Sequence, residues 1–153
     1  MREAFKNDFF KSFILKLLAF VTVIFLLDII IGHLLKKFYY KQKSGYDYLT
    51  TYSIEKTKAD LLIFGSSSAV NIYNTEIFKN KTGLSCFNAG RHGQSLFYHY
   101  AVLKSVLKRY RPKIIVLSFD AGNFSRNQAA YDRLAVLLPY YKNPSRNPFD
   151  DSA

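Results

Sequence analysis

Three consecutive serines follow a short apolar segment near the middle of this 153-residue chain. Residues 61–64 read Leu-Leu-Ile-Phe, a run typical of a buried parallel strand, and Gly65 ends it before Ser66, Ser67 and Ser68. Open α/β folds bind their ligands at the carboxyl ends of the strands, so these hydroxyls stand where a nucleophile would be placed. Two interpretations stay open: a serine-rich turn without chemistry, or a serine nucleophile at the start of a short helix, where backbone N–H groups favour an oxyanion.

The residues downstream predict a parallel α/β arrangement around this first strand. We expect two more short, apolar strands over residues 84–88 and 113–119. Helices are expected over residues 75–81, 96–110 and 128–138, the last of them ending before a proline. Because strands alternate with helices, the sequence predicts a parallel sheet joined by right-handed crossovers.

Capping residues support these helices. Asn74 is expected to cap the first helix, and Gly83 stands where a glycine commonly ends one. Ser95 is expected to cap the second helix, which Arg111-Pro112 stops. One face of that second helix carries four apolar side chains, Leu96, Tyr100, Leu103 and Leu107.

Two stretches of this pattern resemble blocks of the SGNH (GDSL) hydrolase superfamily. Leu-Leu-Ile-Phe-Gly-Ser-Ser-Ser resembles the first block, Gly-Asp-Ser-x after a buried strand, with Gly65 on the glycine, a serine in place of the aspartate and Ser67 on the nucleophile. Cys-Phe-Asn-Ala-Gly-Arg-His-Gly-Gln-Ser is similar to the second block, Asn-x-x-x-x-Gly, with Asn88 opening the turn and Gly93 closing it. After the third strand, Phe-Asp-Ala-Gly-Asn is an approximate match to the third block, which places Asn123 on its asparagine.

The resemblance implies a fold and a mechanism. The fold would be part of the family's three-layer α/β/α, flavodoxin-like parallel-sheet domain. Ser67 would be the catalytic nucleophile that attacks an ester or acyl carbonyl, and the N–H groups of Ser67 and Gly93, with the Asn123 side chain, would hold the oxyanion. A Gly-Ser-Ser start behind an N-terminal anchor is similar to the membrane-attached acyl-transfer branch, which includes the D-alanine transfer protein and alginate O-acetyltransferase-like proteins.

The family's last block, Asp-x-x-His, which supplies the general base, does not occur in this sequence. The three histidines are not obvious replacements, because His33 lies in an apolar segment, His92 in the second-block loop and His99 within a helix. We therefore expect a truncated chain, an incomplete domain and little or no hydrolase activity. No cofactor or metal is predicted, and a phosphate loop is excluded because its glycine spacing and its lysine are absent.

An apolar segment at residues 13–36 is long enough to cross a bilayer, which takes about twenty apolar residues. Asp28 is either a contact with a partner inside the membrane or an interfacial residue, and His33 is interpreted as interfacial. A cleaved signal peptide is disfavoured because no small-x-small cleavage site follows the apolar core. The segment is therefore predicted to be an uncleaved membrane anchor.

The formal net charge of the chain is +11, and its densest basic cluster directly follows the anchor, at Lys36, Lys37, Lys41 and Lys43. Such a cluster suits anionic lipid head groups, whereas the motifs of nucleic-acid-binding proteins are absent. Basic residues flank both ends of the anchor, so the positive-inside rule gives no orientation. The resemblance implies a single-pass protein of the bacterial inner (cytoplasmic) membrane, with its larger part outside the cytoplasm.

These patterns predict five segments: a short tail (1–12), the anchor (13–36), a basic and aromatic connector (37–58), the partial α/β domain (59–142) and an irregular tail (143–153). A second hypothesis is a small membrane-anchored binding or scaffolding protein without catalysis. The observation behind this hypothesis is that a three-stranded sheet leaves its outer strand with an exposed edge, and a protein partner could complete the sheet there. Cys86 is the single cysteine, so no intrachain disulfide forms, and we expect its thiol to be buried and inert.

Overall fold

The computed structural model describes residues 2–119, 128–141, 147 and 149. Two compact units make up the chain, Met1–Lys41 and Gln42–Ala153. The first consists of one long helix, and the second contains a three-stranded parallel sheet with helices around it. The structure therefore confirms a mixed α/β chain that begins with an apolar helix.

Helix α1 (Arg2–Lys41) runs without interruption through the predicted tail and anchor and ends inside the predicted connector. Its part at Phe10–Lys41 is long and apolar enough to cross a membrane, with a mean hydropathy of 2.7 in its most apolar window. Within this part, His33 Nδ1 lies 2.8 Å from the carbonyl oxygen of Ile29, and the Thr22 hydroxyl donates to the carbonyl of Leu18 at 2.8 Å. Both polar side chains thus find partners on the helix itself, which lowers the cost of placing them in an apolar surrounding.

The sheet consists of β1 (Leu61–Gly65), β2 (Cys86–Asn88) and β3 (Ile114–Ser118), in the order β2-β1-β3 and parallel throughout. Leu61 pairs with the first residues of both neighbours, and Gly65 pairs with Ser118 at the carboxyl end. All five residues of β1 are buried, as expected of a central parallel strand. The serines that follow β1 therefore lie at the carboxyl edge of the sheet.

Helices flank the strands: α2 (Gly45–Glu55), α3 (Ser67–Ile72), α4 (Thr75–Thr82), α5 (Leu96–Leu107) and α6 (Gln128–Asp132). A 3₁₀ helix, Arg133–Tyr140, replaces the second half of the helix predicted over 128–138 and contains Pro139. The predicted caps of α4 are confirmed, because the Asn74 side chain accepts from the N–H of Glu76 and Gly83 adopts a left-handed conformation with φ of 69°. Ser95 begins α5, but its hydroxyl donates to the carbonyl of Ala130 on α6 instead of capping its own helix.

The amino ends of the strands are tied together by Asp60, which directly precedes β1. Its carboxylate accepts from the Lys113 ammonium at 2.9 Å and from the Ser85 hydroxyl at 2.7 Å. These hydrogen bonds lower the pKa of Asp60 to about 2, and the bond from Lys113 contributes most. Because Ser85 precedes β2 and Lys113 precedes β3, one carboxylate aligns all three strands at the end of the sheet opposite the serines.

The two faces of β1 bury different partners. Leu61 and Ile63 form a cluster with Ala69 of α3, and the half-buried Cys86 packs against it. Burial raises the pKa of the Cys86 thiol, which keeps the thiol protonated at neutral pH and poorly reactive. On the opposite face Phe64 meets the ring of His99 in α5, edge to face, with ring centroids 6.5 Å apart.

Helix α5 packs into the core with a different face from the one that carries the four predicted apolar residues. Its buried residues are Tyr98, His99, Ala101, Val102, Ser105 and Val106. The hydroxyl groups of Tyr98 and of Thr50 in α2 are hydrogen-bonded at 2.7 Å, so this buried face packs against α2. The four apolar residues expected to share a face, Leu96, Tyr100, Leu103 and Leu107, are only partly buried or, for Tyr100, 61 % exposed. Helix α5 therefore has two apolar faces, of which the core uses the one that the periodicity did not single out.

Strand β3 is open to solvent along its length. Ile114 and Ile115 are each 42 % exposed and Leu117 is 41 % exposed. Because side chains alternate along a strand, Ile114 lies on one face of the sheet and Ile115 and Leu117 lie on the other, so both faces of β3 are exposed. In the described part of the chain β3 pairs with β1 alone, so its outer edge has no strand beside it. This matches the exposed outer edge expected of a three-stranded sheet.

Candidate active site

The turn after β1 requires a glycine. Gly65 has φ of 150°, a conformation that side chains rarely adopt. A Cβ on Gly65 would lie 2.4 Å from the carbonyl oxygen of Ser118 and 2.8 Å from the Cβ of Ala69. The glycine thus allows β3 and α3 to approach β1 closely just where the chain turns into the serines.

The three serines have different surroundings. Ser66 is half-buried, and Ser68 is half-buried with its hydroxyl 3.2 Å from that of Ser118 at the end of β3. Ser67 is the first residue of α3 and is exposed. Within the described residues no group is hydrogen-bonded to its hydroxyl. Of the three, Ser67 is the most exposed, and it lies at the carboxyl end of the central strand.

The loop after β2 packs against the loop after β1 through Asn88. The Asn88 side chain donates to the carbonyl oxygens of Ala69 at 2.8 Å and Tyr73 at 3.3 Å, and its own oxygen accepts from the N–H of Gly90 at 2.9 Å. One amide thus shapes its own turn and holds α3 beside it. Asn88 therefore has a structural role, because its side chain joins the loop after β2 to the loop after β1.

A backbone contact completes this junction. The N–H of Arg91 donates to the carbonyl of Gly65 at 3.1 Å. A Cβ on Gly90 would lie 3.0 Å from the Cβ of Ala69 and 3.1 Å from the oxygen of Gly65, so this position also needs a small residue. The two motifs recognised in the sequence are therefore in contact at the carboxyl edge of the sheet.

Gly93, the predicted oxyanion donor, lies two residues beyond this contact. It is exposed with φ of 70°, and in the described part of the chain its N–H has no hydrogen-bonded acceptor. An N–H group without an acceptor is what an oxyanion donor requires. Asn123, the other predicted donor, lies outside the described residues.

Arg91 connects the second loop to α2, an interaction that the motifs did not reveal. Its guanidinium donates to Asp47 at 2.9 Å and to the Thr50 hydroxyl at 2.8 Å. It also lies over the rings of Tyr46 and Tyr98, 5.8 Å from each centroid. Only 13 % of the Arg91 side chain is exposed, so this charge is held by one carboxylate, one hydroxyl and two aromatic faces. The available sequence signal was an arginine in a glycine-rich loop, and nothing in the sequence placed Asp47 near it.

Two histidines, His92 and His99, belong to this unit. His92 is exposed, and its ring packs against that of Tyr46 at 5.6 Å. His99 is 2 % exposed in α5, and neither of its ring nitrogens has a hydrogen-bonding partner among the described residues. Burial lowers the pKa of His99 to about 4, so its ring is neutral at physiological pH. Among the residues that the structure describes, no histidine or carboxylate is hydrogen-bonded to Ser67, and no cluster of histidine, cysteine or acidic residues could hold a metal ion.

Comparison with known proteins finds no matching family model, no matching curated protein and no matching solved structure. The case for a function therefore rests on the residues themselves. They comprise an exposed serine after a central strand, a glycine N–H that has no acceptor among the described residues, and two loops joined by Asn88 and Arg91.

Proposed function

We propose that this chain is a membrane-anchored SGNH-like protein whose chemistry is ester hydrolysis or O-acyl transfer, with Ser67 as the nucleophile. The observation that carries the proposal is the environment of Ser67, which is exposed at the carboxyl end of the central parallel strand and whose hydroxyl has no partner in the described part of the chain. Its neighbour Ser68, by contrast, is engaged with Ser118. The contact between the two family-like loops supports the same assignment.

In the proposed reaction the Ser67 Oγ attacks the carbonyl carbon of an ester, and the carbonyl oxygen becomes an oxyanion. The N–H of Gly93 donates to that oxygen, and the ester C–O bond breaks to leave an acyl group on Ser67 and a free alcohol. Water or an acceptor hydroxyl then takes the acyl group. Both steps need a general base to take up a proton, and among the described residues no base contacts Ser67. The chain by itself therefore has little or no turnover, since oxyanion donors alone give only a residual effect.

Helix α1 anchors this unit in the proposal, as a single pass through the bacterial cytoplasmic membrane with residues 42–153 outside the cytoplasm. Its length and hydropathy support the anchoring. Lys36, Lys37, Lys41 and Lys43 are exposed around its end, where anionic lipid head groups would lie. A reporter enzyme fused after Ala153 and active only outside the cytoplasm tests the orientation, and activity confined to the cytoplasm would contradict it.

Imidazole in the buffer can replace a missing histidine base, so the nucleophile can be tested in the chain as it stands. The full chain in phosphatidylcholine nanodiscs is incubated with an alkyl fluorophosphonate, with and without imidazole. Imidazole takes the Ser67 hydroxyl proton, Oγ forms a bond to phosphorus and fluoride leaves. Peptide mass spectrometry is expected to find an imidazole-dependent adduct that Ser67→Ala removes and Ser66→Ala retains. An adduct that persists in Ser67→Ala at the wild-type rate would contradict the proposal.

A second candidate function is binding without catalysis, and the exposure of β3 favours it. Apolar side chains on both faces of this strand and its unpaired outer edge suit another polypeptide segment that would extend the sheet. Ile115 and Leu117 lie on one face and Ile114 on the other, so such a partner would cover the strand from both sides.

The state of association in detergent tests this second candidate. We expect the wild-type chain to associate with increasing concentration in multi-angle light scattering, and Ile114→Lys to reduce the association because a charge on β3 opposes pairing. Glu76→Lys, an exposed change on α4, serves as the control for added charge. A wild-type chain that stays a cooperatively folding monomer over the whole concentration range would remove the reason for a binding role.

A further inference from the structure

Helix α1 carries one acidic side chain inside its apolar part, Asp28. At about 1.5 Å per residue, the stretch between Lys16 and Lys36 is about 30 Å long, which is the thickness of the hydrocarbon core of a bilayer. Along the helix axis Asp28 lies about 12 Å from Lys36 and about 18 Å from Lys16. With both lysines at the head groups, Asp28 therefore lies within about 3 Å of the middle of the bilayer, where acidic side chains are rare and generally functional.

The helix itself offers Asp28 no hydrogen-bond donor. A carboxylate only accepts, and the backbone N–H groups inside a helix already donate to carbonyls one turn earlier. The Thr22 hydroxyl and the His33 ring each pair with a backbone carbonyl of α1, and among the described residues no group is hydrogen-bonded or ion-paired to Asp28. A donor for Asp28 must therefore come from outside the helix, and the middle of a bilayer has no water to supply one.

Asp28 lies on a face of α1 that is otherwise apolar. Since successive residues are about 100° apart around a helix, residues within about 40° of Asp28 share its face. We call this the Asp28 face, and between Lys16 and Lys36 its other members are Leu17, Val21, Ile24, Gly32 and Leu35. Every lysine of Phe10–Lys41, and also Thr22 and His33, lies about 80° or more around the helix from Asp28. The polar side chains that suit head groups are thus kept off the Asp28 face.

Gly32 makes the Asp28 face suitable for close contact with another helix. It is the only glycine in α1, it lies one turn from Asp28, and a Cβ added to it would meet nothing within 4 Å. Glycine weakens a helix, whereas small residues let the backbones of two membrane helices approach closely. A carboxylate without a donor beside such an open position indicates that a second transmembrane helix packs here.

We propose that the Asp28 face binds a transmembrane helix of another protein that carries a lysine or an arginine near the middle of the bilayer. Charge complementarity selects this partner, because an ammonium or guanidinium group pairs with the carboxylate and donates the hydrogen bonds that α1 cannot supply. A second copy of this chain fits less well, since two Asp28 carboxylates would repel each other and none of the lysines in the described part of α1 lies at that depth. This inference rests on the proposed membrane anchoring and goes beyond it, because it names the kind of partner inside the membrane.

Two synthetic helices serve as probes for this face. Each has about twenty alanine and leucine residues between terminal lysine pairs, and the two differ only at the central position, which is lysine in one and leucine in the other. The full chain, with an acceptor dye at its N terminus, is reconstituted in phosphatidylcholine vesicles with a donor-labelled probe, and energy transfer is measured at increasing ratios of protein to lipid. We expect the lysine probe to associate about fivefold more tightly than the leucine probe, and Asp28→Leu to remove this preference.

A matched double variant tests the face separately from the charge. Asp28→Ile combined with Ile30→Asp keeps one carboxylate at nearly the same depth but moves it about 160° around the helix, away from Gly32. We expect this variant to bind the lysine probe about threefold more weakly than the wild type does. Equal binding of the two probes by the wild type, or wild-type binding by the double variant, would overturn the proposal. Energy transfer between two copies of the chain without a probe, if Asp28→Leu removed it, would assign the face to a second copy and would also overturn it.

Flotation of the vesicles separates this proposal from the anchoring on which it rests. After a wash with alkaline carbonate, the wild type and Asp28→Leu are both expected to float with the vesicles in a sucrose gradient. A chain that did not float would contradict the anchoring and this proposal with it. A chain that floated but showed no preference for the lysine probe would overturn this proposal and leave the anchoring intact.

Discussion

Lowering the pH from 7 to 5 is expected to destabilise the α/β unit through one residue, His99. In the folded chain burial holds the pKa of His99 at about 4, against 6.5 for an ordinary histidine. Between these values the unfolded state binds a proton that the folded state does not. Above pH 6.5 the ring is neutral in both states and the pH has no effect through His99. As the pH falls below 6.5, stability is lost until the folded ring also takes up a proton near pH 4.

The size of this effect follows from the two pKa values. At pH 5 the unfolded histidine is almost fully protonated while the folded one is almost fully neutral, which lowers the free energy of unfolding by about 2 kcal/mol. The full difference of the two pKa values corresponds to about 3 kcal/mol, which is reached as the pH falls below 4. For a domain with about 5–10 kcal/mol of stability, such a loss is easily measured.

Urea unfolding of the full chain in detergent micelles, followed by tyrosine fluorescence, measures this loss. The buried rings of Tyr98 and Tyr140 report on the α/β unit. His99→Phe is expected to abolish the pH dependence between pH 7 and 5 and to be as stable as the wild type or more stable at pH 7. The physical reason is that the substitution removes two buried ring nitrogens that have no partner in the part of the chain that the structure describes, each costing about 1–3 kcal/mol.

A second histidine in the same unit provides the control. His92 is exposed, so we expect His92→Gln to keep the wild-type pH dependence. If His99→Phe kept the loss of about 2 kcal/mol, or if the wild type showed none, the assignment of an unpartnered and neutral His99 would be wrong.

Two further predictions concern the junction of the two loops. Gly65→Ala is expected to lower the free energy of unfolding in urea by about 3 kcal/mol or more, because the added Cβ would lie 2.4 Å from the Ser118 carbonyl oxygen. The control Gly83→Ala is expected to lower it by only about 1 kcal/mol, because Gly83 is also left-handed but has open space around it. Equal losses in the two variants would contradict the close approach of β3 to Gly65. Arg91→Lys keeps the positive charge but removes the planar guanidinium that donates to Asp47 and Thr50 together, so we expect the free energy of unfolding to fall by about 1–3 kcal/mol. Amide hydrogen exchange in residues 88–93 is expected to become faster. Unchanged exchange would contradict the role of Arg91 in holding this loop against α2.

Local signals in the sequence predicted the order of strands and helices well, because apolar runs and capping residues within each segment determine its secondary structure. The apolar run after Asp60 gives the central strand, and Asn74 with Gly83 bounds α4 within one residue of the expected range. The exposed outer strand also followed from the count of strands alone. These features depend on neighbouring residues along the chain, which is the information that periodicity and capping carry.

Features that depend on distant contacts were not predictable in this way. The periodicity did not indicate which face of α5 is buried, because the helix is apolar on two sides and the covered one packs against α2 through Tyr98 and Thr50. The pairing of Arg91 with Asp47 joins residues 44 positions apart and has no motif. The helix expected before Pro139 tightens into a 3₁₀ turn that includes the proline. In the first two cases the contacts join residues far apart in the sequence, which local patterns do not encode.

Within the candidate site, Ser67 follows the first strand and Gly93 follows the second, and the structure brings the two loops that contain them into contact. It did not indicate that Asn88 would be occupied in joining them. The interpretation of Ser67 as a nucleophile stays a prediction.

The most direct test of that prediction compares two serines within one sample. Ser44 is exposed and also stands at the start of a helix, but it does not follow a strand. After fluorophosphonate treatment of the wild-type chain with imidazole, we expect the Ser67 peptide to carry at least ten times more adduct than the Ser44 peptide. Equal labelling of Ser67 and Ser44 would show an ordinary surface hydroxyl and would contradict the assignment of Ser67 as a nucleophile.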